Sequence, residues 1–224
     1  MMRRDYILRM IEEFFEALSR INALKKGQLW REAAGQLDQE FERLVGAGAE
    51  AVARLSETDL LARLLSGDPT HVVHEKTLML TALLKEAGDV AVSQDRPDEG
   101  RNCYLKGLHL LLQTTARQEA TDWPEFVPKI EVFVSALRDG PLPLETQALL
   151  MEHYERTGEF AKAEDRLFIM LDGEPGNPRL LEFGLAFYRR LEDRSDTMLA
   201  EGGLPRSEVA ASAAELLSRK RLIG

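Results

Sequence analysis

Apolar residues recur at helical spacing along nearly the whole chain, and no stretch alternates over the length of a strand, so the pattern predicts an all-α fold. Over residues 4–24, Ile7, Ile11, Phe14, Leu18 and Ile21 follow one another at steps of four and three, and Tyr6, Met10 and Phe15 widen the stripe. After Lys25-Lys26-Gly27 a second helix carries Leu29, Trp30, Ala33, Ala34, Leu37, Phe41 and Leu44, and Gly46-Ala47-Gly48 supplies its end. Ser56 caps a short helix holding Leu60, Leu61, Leu64 and Leu65, stopped by Gly67-Asp68-Pro69. A long helix is expected from near Thr70 to Ser93. Farther on, Phe126, Ile130, Phe133 and Leu137 mark a helix whose start Pro124 and Pro128 place late. Pro178 opens another, with Leu181, Leu185 and Tyr188 on one face. Glu201-Gly202-Gly203-Leu204-Pro205 then breaks the chain before a last helix bearing Val209, Ala213, Leu216 and Leu217, with Arg219, Lys220 and Arg221 by its negative dipole end.

One pattern occurs twice, at 81–112 and 144–175. In the first copy Ala87-Gly88 leads through a polar turn, Gln94-Asp95-Arg96-Pro97, to Gly100, Tyr104, Gly107 and Leu108. In the second, Leu150-Met151 and Tyr154 lead to Gly158, then to Phe160, Ala163, Leu167, Met170, Leu171 and Pro175. Both copies resemble the tetratricopeptide repeat, in which two antiparallel helices carry small residues where they cross, bulky ones beside them, and a closing proline. The resemblance implies stacked antiparallel hairpins forming a short solenoid. It is an irregular one, because the copies stand 63 residues apart, which is not a multiple of the family's 34-residue period. The start, Asp5-Tyr6-Ile7-Leu8-Arg9-Met10-Ile11, with the helix-rich body behind it, is similar to a group of uncharacterised bacterial proteins that join such an N-terminal helix to tetratricopeptide-like hairpins. The expected organisation is an N-terminal hairpin plus short helix over 1–67 and a tetratricopeptide-like region with a C-terminal capping helix over 68–224, in one continuous domain.

Charge narrows the function classes. A net charge of −9 argues against a general nucleic-acid binder, whose phosphate contacts need clustered Lys and Arg. The single cysteine, Cys103, has no intrachain disulfide partner and fits a reducing cytoplasm. Acids at Asp5, Glu12, Glu13 and Glu16 interrupt the opening segment, which reads as neither a signal-peptide core nor a membrane span.

Candidate chemistry is sparse. His71 and His74 stand at i and i+3, followed by Glu75, but HVVHE matches neither zinc-protease pattern and offers no third ligand, so the pair is only a weak metal candidate. Cys103 reads as a small core residue without an activating His or basic helix start. No GxSxG, P-loop or GxGxxG after a strand occurs, and no cofactor is implied. In tetratricopeptide proteins the first helix of each hairpin faces the concave groove. The resemblance carries that role to Lys85, Asp89 and Ser93 in the first copy, and to Glu145, Glu152, Glu155 and Arg156 in the second. Members that clamp a peptide carboxylate use Lys and Asn there; Lys85 fits, whereas Asp89 and Glu152 depart and favour a basic or amphipathic segment. The amphipathic N-terminal helix has three readings. It packs on its neighbour, it meets a second copy of the chain, or it lies on a membrane surface, the last disfavoured by acids on its polar face. The expectation is a non-enzymatic, cytoplasmic protein-interaction or scaffold module that self-associates through the N-terminal helix. The alternatives are an all-α metal-dependent or small-ligand enzyme using His71 and His74, and a structural homo-oligomer subunit.

Overall fold

The periodicity is realised throughout. In the computed structural model, which describes residues 2–65, 70–116 and 123–223, twelve helices and no strand occur among the described residues. The fold is all-α and built from helical hairpins, and the chain groups into two compact units, Met1–Pro141 and Leu142–Gly224.

In the first unit α1 (Met2–Lys26) and α2 (Trp30–Val45) form the N-terminal hairpin, and both pack on α5 (Thr70–Ser93). α5 and α6 (Pro97–Ala116) make the most extensive helix pair of the chain, and α7 (Ile130–Ala136) packs on α6. α5 also meets α4 (Glu57–Leu65), which explains its nearly unbroken apolar run: Leu78, Met79, Leu80, Leu83 and Leu84 are all buried, as befits a helix covered on several sides. Ser56 caps α4 as expected, its Oγ accepting the Asp59 N–H at 3.1 Å, and the Asp59 carboxylate returns the bond by accepting the Ser56 N–H at 3.3 Å, which completes a capping box. The stop expected at Gly67-Asp68-Pro69 lies outside the described residues.

Two expectations for this unit need correction. The apolar stripe of α1 is covered only from Phe14 onward: Phe14, Ala17, Leu18 and Ile21 are buried, whereas Ile7, Met10 and Ile11 are half-buried and Leu8 is 49% exposed. Phe126 is not helical, because Pro128 follows it and α7 starts only at Ile130. Its ring instead sits edge-on to Phe14 and Phe15, with centroids 5.0 and 5.5 Å away.

The second unit pairs α8 (Leu144–Thr157) with α9 (Phe160–Gly173), and α10 (Pro178–Glu192) with α12 (Arg206–Ile223). A short helix, α11 (Asp196–Glu201), interrupts the connection between the latter two. Asn177 caps α10 by accepting the Arg179 N–H at 3.0 Å, just before Pro178 at the first helical position.

Four helix-to-helix turns share one geometry. Each has a single residue at positive φ, namely Gln28, Asp95, Gly158 and Gly203. In each, the next N–H reaches back to the carbonyl five residues earlier: Leu29 to Leu24 and Leu204 to Leu199 at 2.9 Å, Arg96 to Ala91 at 2.9 Å, and Glu159 to Tyr154 at 2.8 Å. This is the Schellman closure, which satisfies carbonyls that a helix end leaves open.

Candidate functional site

The candidate groove residues of the first copy are drawn into an ion network inside the first unit. Lys25, from the last turn of α1, donates to both Glu86 and Asp89 of α5. Lys85 meets the same two carboxylates at 3.0 and 2.9 Å, and Tyr104 Oη of α6 donates to Asp89 at 2.8 Å. Burial works to raise the Asp89 pKa, but hydrogen bonds from Lys25 and Lys85 outweigh it and hold the carboxyl below its ordinary value. Lys85 is pushed up in the same way: burial opposes its charge, and the Asp89 and Glu86 carboxylates overcome that. Burial and the hydrogen bond to Asp89 raise the Tyr104 phenol. Lys85 and Asp89 therefore tie three helices together, while Ser93 is exposed at the end of α5.

In the second unit the pattern differs. Thr146, Gln147, Leu150, Met151 and Tyr154 are buried on α8, and Glu145, Glu152 and Arg156 are exposed. Glu155 is drawn against α10 instead, where Arg190 holds it through two hydrogen bonds of 2.6 and 2.7 Å. That contact raises the Arg190 pKa. Glu145 and Glu152 stand seven positions apart, about two helical turns, so both carboxylates fall on one exposed face.

A cleft of about 650 Å³ opens in the first unit among α2, the short helix α3 (Ala49–Arg54), α5 and α6. Spacing gives no sign of α3, because neighbouring helices supply its caps. Asp38 of α2 accepts the Ala49 N–H at 2.8 Å. At the other end Lys106 of α6 donates to the Val52 and Ala53 carbonyls at 2.9 and 2.5 Å, and Asn102 donates to Ala53 at 3.0 Å. Of α3 itself only Val52 is buried. Burial lowers the Lys106 pKa, since its ammonium meets carbonyls rather than a carboxylate in hydrogen-bond contact. Cys103 lines the cleft half-buried, and burial pushes its thiol up to about 11, the opposite of the depression that activates a nucleophilic cysteine.

Of the candidate metal pair, the His71 side chain lies outside the described residues, and the His74 ring sits 5.9 Å from that of Trp123. Among the described residues no group of three or more His, Cys, Asp or Glu is placed to hold a metal ion. Likewise, no helix among them is long and apolar enough to cross a membrane. The participants that spacing misses are Lys25, Lys106, Asn102 and Arg190; each acts on a helix distant in sequence, and no local pattern carries that signal.

No curated protein and no solved structure matches the chain. A family model does match, over residues 1–221, and the chain belongs to that family, DUF6483, a family of unknown function.

Proposed function

We propose that this protein is a non-enzymatic, cytoplasmic interaction module whose tetratricopeptide-like hairpins present helix surfaces to a basic or amphipathic segment of another protein. The observation that carries this reading is the division of α8 into a buried apolar side and an exposed side bearing Glu145 and Glu152. Such a face suits a positively charged segment and holds it by surface electrostatics. The recurrent Schellman turns support it further, since they give successive hairpins one common construction. The test is affinity capture at matched salt with wild-type chain and a Glu145→Lys/Glu152→Lys variant. Glu155 is left intact because its loss would break the Arg190 contact within the unit. A partner bound by wild type and released by the variant sustains the proposal, and equal capture by both removes the α8 face from it.

Self-association through α1 has its own support. Leu8 and Phe15, seven residues apart and so on one side of the helix, are 49% and 37% exposed beside the half-buried Ile7 and Ile11. A Leu8→Glu/Phe15→Glu variant should sediment at half the mass of the wild type. A wild type already monomeric at high concentration rules the contact out.

A further inference from the structure

We infer that the cleft among α2, α3, α5 and α6 is a binding site for one neutral, apolar small molecule, a ligand chemistry separate from the protein contacts proposed above. Its volume of about 650 Å³ is that of a small-molecule site, for which roughly 300–1,000 Å³ is usual. The hollow comes from side-chain size. Ala34 of α2, Ala49 and Ala53 of α3, and Ala87 and Ala91 of α5 line it, leaving space that larger residues would fill. Leu37, Phe41, Val52 and Val90 add an apolar floor.

Charge decides the polarity of the occupant. Five charged residues edge the cleft, and each already has a partner within the chain: Arg54 with Glu50, Arg96 with Glu99, and Asp38 with the Ala49 N–H. A charged ligand would lose its water without meeting an uncompensated counter-charge, whereas a neutral apolar ligand gains by burial. The tethers of α3 decide the shape. It runs from Asp38 on α2 to Asn102 and Lys106 on α6, and so closes one side. What remains is a space bounded by four helices, of a volume that suits one compact molecule.

The test uses N-phenyl-1-naphthylamine, a neutral fluorophore, with Cys103 on the cleft wall as an internal reporter. The dye should saturate at one per chain and slow alkylation of Cys103 by N-ethylmaleimide at pH 9 at least severalfold. Ala34→Phe and Ala87→Phe fill the recess from two different helices, α2 and α5. Each variant that keeps the wild-type melting temperature should weaken the dye on the order of tenfold or more, the loss expected when a ligand's space is occupied. Any one of three results overturns the inference: no saturable binding to wild type, saturation that leaves Cys103 alkylation unchanged, or undiminished binding in a folded cleft-filled variant. Tighter saturable binding of a charged naphthalene dye overturns the assignment of a neutral ligand.

Discussion

The two motif copies carry the same turn but opposite solutions to helix crossing. At the 63-residue offset, Asp95 and Gly158 both adopt positive φ, and the hydrogen bonds around them correspond: Asp95 to Val92 matches Gly158 to Glu155, and Arg96 to Ala91 matches Glu159 to Tyr154. The crossings do not correspond. In α5/α6 the Tyr104 ring lies on Gly88, so close that an added Cβ would stand 2.3 Å from its Cε1. At the matching positions of α8/α9 stand Met151 and Leu167, both fully buried. One hairpin sets a large residue against none, and the other sets two of middle size together. The lesson is that the backbone turn defines the hairpin, while the crossing is filled by whichever pair of volumes fits.

Substitutions at these crossings should have the largest effects. Met151→Ala empties a fully buried site and should cost about 2–5 kcal/mol. Gly88→Ala overfills one and should cost about 1–3 kcal/mol, because Tyr104 cannot swing aside without losing its bond to Asp89. Urea unfolding checks both, and the two signals separate the units. Trp30 and Trp123 both lie in the first unit, so tryptophan fluorescence should register Gly88→Ala, while Met151→Ala should shift the helical circular dichroism. A Gly88→Ala chain as stable as wild type would mean that the ring is not pressed on the helix.

The ion network sharpens the contrast from the polar side, since the second hairpin's carboxylate at the position of Asp89, Glu152, is exposed on α8. Asp89→Asn keeps an acceptor for Tyr104 but removes the charge facing Lys25 and Lys85. With the carboxylate part-exposed, the expected loss is about 1 kcal/mol at neutral pH. The folded-state pKa of Asp89 is depressed, so its contribution is present above the unfolded carboxyl value of about 3.9 and disappears as pH falls through the lower folded value. The gap between wild type and variant should therefore close in acid, below the ordinary carboxylate range. Lys85 acts at the other end: its raised pKa gives stability that is whole below the ordinary lysine value and lost as pH rises through the folded one.

How far the sequence discloses all this depends on the range of the interaction. α5 spans Thr70–Ser93, as its periodicity and the polar turn after it predict, because twenty-four residues give the apolar pattern time to declare itself. α3 and α11 have six residues each and one buried side chain each, too few to show a period. α3 is also capped by Asp38, Asn102 and Lys106, residues that nothing local associates with it. For the candidate site the resemblance names Lys85 and Asp89 as groove residues, yet Lys25, sixty or more positions upstream, turns them into an internal tie. Glu155 follows the same rule through Arg190. Faces of helices are legible from spacing, but whether a charged position meets water or a buried partner is settled by tertiary contacts.

The smallest effects belong to the turns, where the comparison extends to all four. Gln28 and Asp95 hold positive φ with a Cβ, and Gly158 and Gly203 hold it without one. Asp tolerates the left-handed region better than Gln, because its short carboxyl can bond locally to the backbone. Asp95→Gly should therefore change stability by only a few tenths of a kcal/mol, the relief of strain being offset by the greater freedom of the unfolded chain. Gln28→Gly should gain up to about 1 kcal/mol, since more strain is relieved at the same entropic cost. Thermal unfolding followed by tryptophan fluorescence compares the two within one unit. If Gln28→Gly proves the more costly of the pair, the N-terminal turn is held by something other than its Schellman closure, and the shared construction of the hairpins fails at its first member.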